Sequence, residues 1–200
     1  MMSSGEEKAW EVLSELDPAG VCRAAQVGFD SLSGLYLLRC FGMDVSVDPS
    51  RKRMHSDAPE GALLLDKLGY FSKLSILWYL TGAKEIPLSG RLVQPANLRG
   101  GQIFFRGTHI LPLDKLASRY GKNSEGFIKR GERLGGRRLG HGDASIELFP
   151  FPRIPVVLIL WREDEEFPAR ADLLFDSTCE MHLALDVLWS TAMKSILIMM

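Results

Sequence analysis

The chain has 200 residues, 46% of them apolar and 24% charged, with a formal net charge of −1 at pH 7. A chain of this length buries most of its apolar surface, and its balanced charge gives no global attraction to nucleic acid or to acidic membranes. Cys22, Cys40 and Cys179 form neither a CxxC pair nor a disulfide ladder, which argues against a cysteine-ligated cluster within the chain and fits a reducing cytoplasm.

The opening MMSSGEEKAW carries acidic residues where a signal peptide needs a basic start and an apolar core. Trp10, Leu13 and Leu16 then recur at three-residue spacing, one stripe of a short amphipathic helix over 6–16. Asp17-Pro18 ends it and caps a second helix over Ala19–Val27. Leu35–Phe41 and Met43–Val47 read as a strand pair around Gly42, with Met43, Val45 and Val47 alternating with Asp44, Ser46 and Asp48. Pro59-Glu60 opens a long helix through about Leu80, closed by Gly82. Its apolar residues spread round most of the circumference and so predict burial in a core or an interface.

Residues 82–101 are rich in glycine and proline and read as an irregular surface loop. Gln102–Phe105 is a short strand candidate. Pro112–Tyr120 reads as a helix with Gly121 as a left-handed C-terminal cap. Asn123 or Ser124 caps a further helix reaching Leu134, stopped by Gly135-Gly136. Strands follow at Ser145–Phe149, Pro155–Trp161 and Ala171–Phe175, and a helix with a Leu185, Leu188, Ala192, Ile196 stripe closes the chain. No linker or tandem repeat interrupts it. Residues 1–200 are therefore expected to form one α+β domain, a mainly antiparallel sheet packed against the long buried helix and the C-terminal helix.

Residues 148–176 are the most informative stretch. Val156–Trp161 is too short to cross a bilayer and too apolar to face water, so it reads as a central strand covered on both faces, with Ala171–Phe175 returning as its partner. Between them Glu163-Asp164-Glu165-Glu166 could bind a hard cation or supply an acid or base, with Asp164 and Glu165 stiffened by Phe167-Pro168. The competing reading is a solvated turn that keeps two apolar strands soluble and discourages edge pairing.

His109, in FFRGTHILP beside Arg106 and Gly107, could bind a metal, a tetrapyrrole or an anionic ligand. His141, flanked by glycines near Asp143, is a weaker candidate. No histidine has the spacing of a zinc site. GxSxG, Walker GxxxxGK[ST] and strand–GxGxxG–helix motifs are all missing. The basic set Lys129, Arg130, Arg133, Arg137 and Arg138 lies among glycines and reads either as a solvated face or as an anion-holding segment.

The ordered strings NLRGGQIFFRGTHILPLDKLASRYG, ERLGGRRLGHGDAS and PRIPVVLILWREDEEFPARADLLFD resemble an uncharacterised family known as domain of unknown function 3786, found mostly in anaerobic bacteria and archaea. The likeness runs from about Ala24 to Leu188. It places Gly100, Gly101, His109, Gly135, Gly136, Asp143, Pro155, Trp161, Asp164, Glu165, Phe167, Pro168, Phe175 and Asp176 on the family's pattern. Some members resemble fusions to iron–sulfur modules. Lacking a cysteine array, this chain would meet such a centre only through an iron–sulfur or redox protein partner.

The leading expectation is a cytoplasmic domain that binds a small molecule or cofactor between sheet and helices, with His109, Arg106, Trp161, Asp164 and Glu165 as binding residues. In that picture Trp161 and Asp164 approach His109. The alternative is an enzyme using Asp164, Glu165 or His109 as acid, base or metal ligand. A third reading is an interaction module, which an exposed Ile196–Met200 patch would favour.

Overall fold

The computed structural model describes residues 4–105 and 107–200. Alternating apolar residues build its first layer. Helices α1 (Ser4–Glu15) and α2 (Pro18–Ala25) lead into strands β1 (Gly28–Asp30), β2 (Leu35–Cys40), β3 (Met43–Asp48) and β4 (Arg53–His55). These four strands form one antiparallel sheet in sequence order. Its register sets Tyr36 against Val47 and Leu38 against Val45, and all four side chains are buried. Asp17 caps α2 as expected by accepting the Gly20 N–H at 2.8 Å, and the helix ends where Gln26 turns left-handed at φ 54°.

The long helix expected over 59–80 is not continuous. A π-helical turn at Leu63–Lys67, closed by the Leu68 N–H donating to the Leu63 carbonyl at 2.9 Å, precedes a break at Leu68. Helix α3 (Gly69–Gly82) begins only there. Leu64 and Leu65 on this turn and Leu68 at the break are all buried in the core.

The 82–101 loop contributes strand β5 (Leu92–Val93). Gln102–Phe105 is not a strand but part of a 3-10 helix over Gly101–Phe105. A side chain at Gly101 would collide with the Pro95 carbonyl, so the backbone doubles back tightly on itself rather than extending.

Helices α4 (Leu113–Tyr120) and α5 (Ser124–Arg133) follow, then strands β6 (Arg137–Leu139), β7 (Ala144–Phe151), β8 (Ile154–Trp161) and β9 (Arg170–Asp176), then helices α6 (Cys179–His182) and α7 (Leu185–Leu197). The Asn123 carboxamide caps α5 through the Gly126 N–H at 2.9 Å. Gly121 is not the left-handed cap expected after α4. Its φ of −54° is helical, and it is glycine because a Cβ would strike Ala169.

The second sheet runs β5-β9-β8-β7-β6, antiparallel throughout, with β8 at its centre. Every residue of β8 from Ile154 to Leu160 is buried, as its unbroken apolar run implies. Helix α4 packs on β9 and α5 on β7, while α7 and β2 also reach β7. The fold is therefore α+β with two antiparallel sheets rather than one.

The sheets meet at glycines. Gly42 (φ 72°) and Gly135 (φ 69°) lie backbone to backbone, so that a Cβ on Gly135 would sit 2.8 Å from the Gly42 Cα. The Phe41 N–H donates to the Phe149 carbonyl at 2.8 Å across the same junction. Beneath it Tyr79 stacks parallel on Phe151 at 4.4 Å, and the Lys194 Nζ lies 3.7 Å from the Phe151 ring centre on a fully buried side chain. That amine makes no hydrogen bond among the described residues, and burial lowers its pKa to about 8, with the neighbouring Cys40 acting in the opposite direction. Arg153 fastens the hairpin tip between β7 and β8 by donating to the carbonyls of Arg23, Ala24 and Ile86.

Candidate functional site

His109 ends a short 3-10 turn at Gly107–His109, and its backbone carbonyl accepts the Trp189 indole N–H at 2.7 Å. This bond ties the 107–109 turn to α7. The His109 ring meets Trp189 edgewise at 4.8 Å, and Phe71 meets the same indole at 5.5 Å. Between α1, α3, α7 and this turn lies a cleft of about 510 Å³. Its lining includes Glu6, Tyr70, Lys73, His109, Asp186 and Trp189.

Tyr70 stands at the rim with 79% of its surface exposed, packed edgewise on Phe71 at 5.1 Å. Lys73 and Asp186 form no ion pair among the described residues. Aromatic surface with charge at its edge can hold a ring and orient its substituents.

Trp161 and Asp164 do not join His109. They line a second cleft with Asp143, Arg162, Phe167 and Arg170, and the two clefts share no lining residue. Most polar groups there are already engaged. The Trp161 indole N–H donates to Asp172 at 2.8 Å, and the Arg170 guanidinium covers the Trp161 ring at 4.4 Å. Asp143 accepts the Arg162 N–H at 2.7 Å.

The Asp164 carboxylate accepts the N–H groups of Glu166 and Phe167 at 2.9 and 2.7 Å, and these bonds hold its pKa below the ordinary value. Glu163 pairs with Lys122 at 3.1 Å, and Glu165 is exposed. Asp164 thus acts as the clasp of the turn between β8 and β9. Arg106 lies outside the described residues.

Asp176 is the most heavily bonded carboxylate. Burial raises its pKa, but donors from Thr178 and Ser89 outweigh that effect and hold it below the ordinary value. With the Gly90 N–H at 2.8 Å these bonds lock the 89–91 turn to the end of β9. His182 is buried in α6, where its Nδ1 accepts the Lys84 N–H at 3.2 Å.

In the basic segment Arg130 is built into the fold, whereas Lys129, Arg133, Arg137 and Arg138 are exposed. Arg130 forks onto Glu60 and the Ile198 carbonyl, Lys129 pairs with Glu125, and Arg137 pairs with Glu147. A Cβ on Gly131 would overlap Ile146, so this glycine serves the packing of α5 on β7. Ile196, Ile198 and Met199 are buried, so the apolar C-terminal run is core rather than an exposed patch. Among the described residues no group of three or more His, Cys, Asp or Glu side chains is placed to hold a metal ion, and no helix is long and apolar enough to cross a membrane.

Of the expected binding residues that the structure describes, only His109 lines the aromatic cleft. Tyr70, Lys73, Asp186 and Trp189 are among its other lining residues, Tyr70 and Asp186 exposed and Lys73 and Trp189 half-buried. An aromatic and a charge three residues apart, and so on one face of each helix (Tyr70 and Lys73, Asp186 and Trp189), was the available signal.

Two antiparallel sheets, a helical layer and an aromatic cleft at the helix junction define the protein's class as an α+β domain with a preformed surface cleft. Over residues 17–197 the chain matches the family described as Domain of unknown function (DUF3786), and it belongs to that family. No curated protein and no solved structure matches it.

Proposed function

We propose that this protein is a cytoplasmic binding domain whose ligand, a small organic molecule bearing a ring, occupies the cleft between α1, α3, α7 and the His109 turn. One observation carries the reading: Tyr70, His109 and Trp189 bring three rings to a single cleft of about 510 Å³, within the size range of small-molecule sites. Phe71 and the Trp189–His109 hydrogen bond hold the Trp189 indole in place, so little ordering cost falls on the ligand.

The free thiols of Cys22, Cys40 and Cys179 suit a reducing compartment, and an iron–sulfur or redox centre would come from a partner. The test is mass and absorbance analysis of protein purified without oxygen, beside a Tyr70→Ala/Trp189→Ala variant. A co-purifying molecule present in the parent and lost from the folded variant is the expected result. Retention of that molecule by the variant, or failure of ring-bearing compounds to raise the parent's melting temperature, overturns the reading.

A further inference from the structure

Resting on that cleft reading, we infer that the ligand is zwitterionic, a ring-bearing molecule of the aromatic amino acid type with one anionic and one cationic group. Lys73 on α3 and Asp186 at the start of α7 line the same cleft from different helices. The Lys73 side chain lies back along α3, so that a methyl group at Gly69 would touch its Cε at 3.6 Å and its Nζ at 3.9 Å. That amine has neither an ion pair nor a hydrogen bond among the described residues.

The Asp186 Oδ1 accepts only the N–H of Val187 at 2.9 Å, and its Oδ2 has no partner among the described residues. Lys73 therefore offers a positive charge to a carboxylate, and Asp186 a negative charge to an ammonium. A purely anionic ligand would face the carboxylate of Asp186, and a purely cationic one would face Lys73. A single ligand carrying both signs satisfies both and leaves its ring to Tyr70 and Trp189.

The probes are L-tryptophan, indole-3-acetate, tryptamine and indole, titrated calorimetrically into the full chain. L-tryptophan is expected to bind about tenfold or more tightly than either singly charged analogue, the scale of one charge-assisted contact. Lys73→Met removes its advantage over tryptamine, and Asp186→Asn its advantage over indole-3-acetate. Asp186 is exposed and Lys73 half-buried, and circular dichroism verifies the folding of both variants. Should indole and its analogues all bind with equal affinity, the zwitterion inference fails while the cleft reading stands. Should none bind, both fail.

Discussion

Replacing Lys194 by methionine should stabilise the protein, against the usual effect of a core substitution. The lysine side chain is fully buried, its amine has no hydrogen-bond partner among the described residues, and its neighbours include the Phe151 ring at 3.7 Å and the Cys40 thiol. Its pKa falls from 10.5 to about 8. Carrying the charged amine at pH 7 thus costs about 3 kcal/mol relative to the unfolded chain. Between about 8 and 10.5 the folded state binds fewer protons than the unfolded state, so wild-type stability rises with pH across that window. Below 8 both states are charged and the full cost remains.

Methionine is unbranched and only one heavy atom shorter than lysine, so it fills most of the same space while removing the charge. Urea unfolding of both proteins at pH 7 and at pH 10 is the assay. The variant should gain about 3 kcal/mol at pH 7 and lose most of the pH-dependent rise. A variant less stable than wild type at pH 7, or one retaining the rise, would show that the amine is not buried as described.

Three further outcomes follow from the same geometry. Asp176→Ala leaves the donors of Ser89, Gly90 and Thr178 without their acceptor and should cost about 3 kcal/mol in urea unfolding. Because this carboxyl's pKa is lowered on folding, its contribution is complete above about 4 and fades as pH falls further, so the wild-type and variant stability curves should converge in acid. Asp164→Ala should lower the melting temperature by loosening the 162–169 turn without altering ring-probe affinity; a loss of affinity would place the ligand in the wrong cleft. Gly135→Ala should destabilise the junction of the two sheets, since both its positive φ and the 2.8 Å approach to Gly42 oppose a Cβ, and an unchanged midpoint in urea would contradict that contact.

Much of this architecture is legible in the amino-acid order because the forces that build it are local. The alternation in Met43–Val47 specifies both the strand and its buried face, and the unbroken run Val156–Leu160 specifies a strand covered on both sides. Strands β1, β4, β5 and β6 hold two or three residues each, too few for a period to show. The π-helical turn before α3 stays hidden because Leu64, Leu65 and Leu68 keep the three- and four-residue spacings of an ordinary helix, so nothing in the pattern marks the wider turn. The acidic turn illustrates the limit for chemistry. Asp164 is conspicuous because carboxylates flank it, yet its oxygen is committed to the backbone N–H groups of its own turn. The cleft escapes a linear reading because Tyr70, His109 and Trp189 are far apart in sequence, and only the packing of α3 against α7 unites them.

The central claim is that the cleft at Trp189 receives a ring. The chain has four tryptophans, Trp10, Trp78, Trp161 and Trp189, so its indole N–H groups can be followed separately in a nitrogen-15 correlation spectrum during titration with indole. The account predicts that the Trp189 signal, assigned with Trp189→Phe, shifts in a saturable way while that of Trp161 stays in place. A spectrum in which Trp189 does not move, or in which Trp161 moves in its stead, would contradict it.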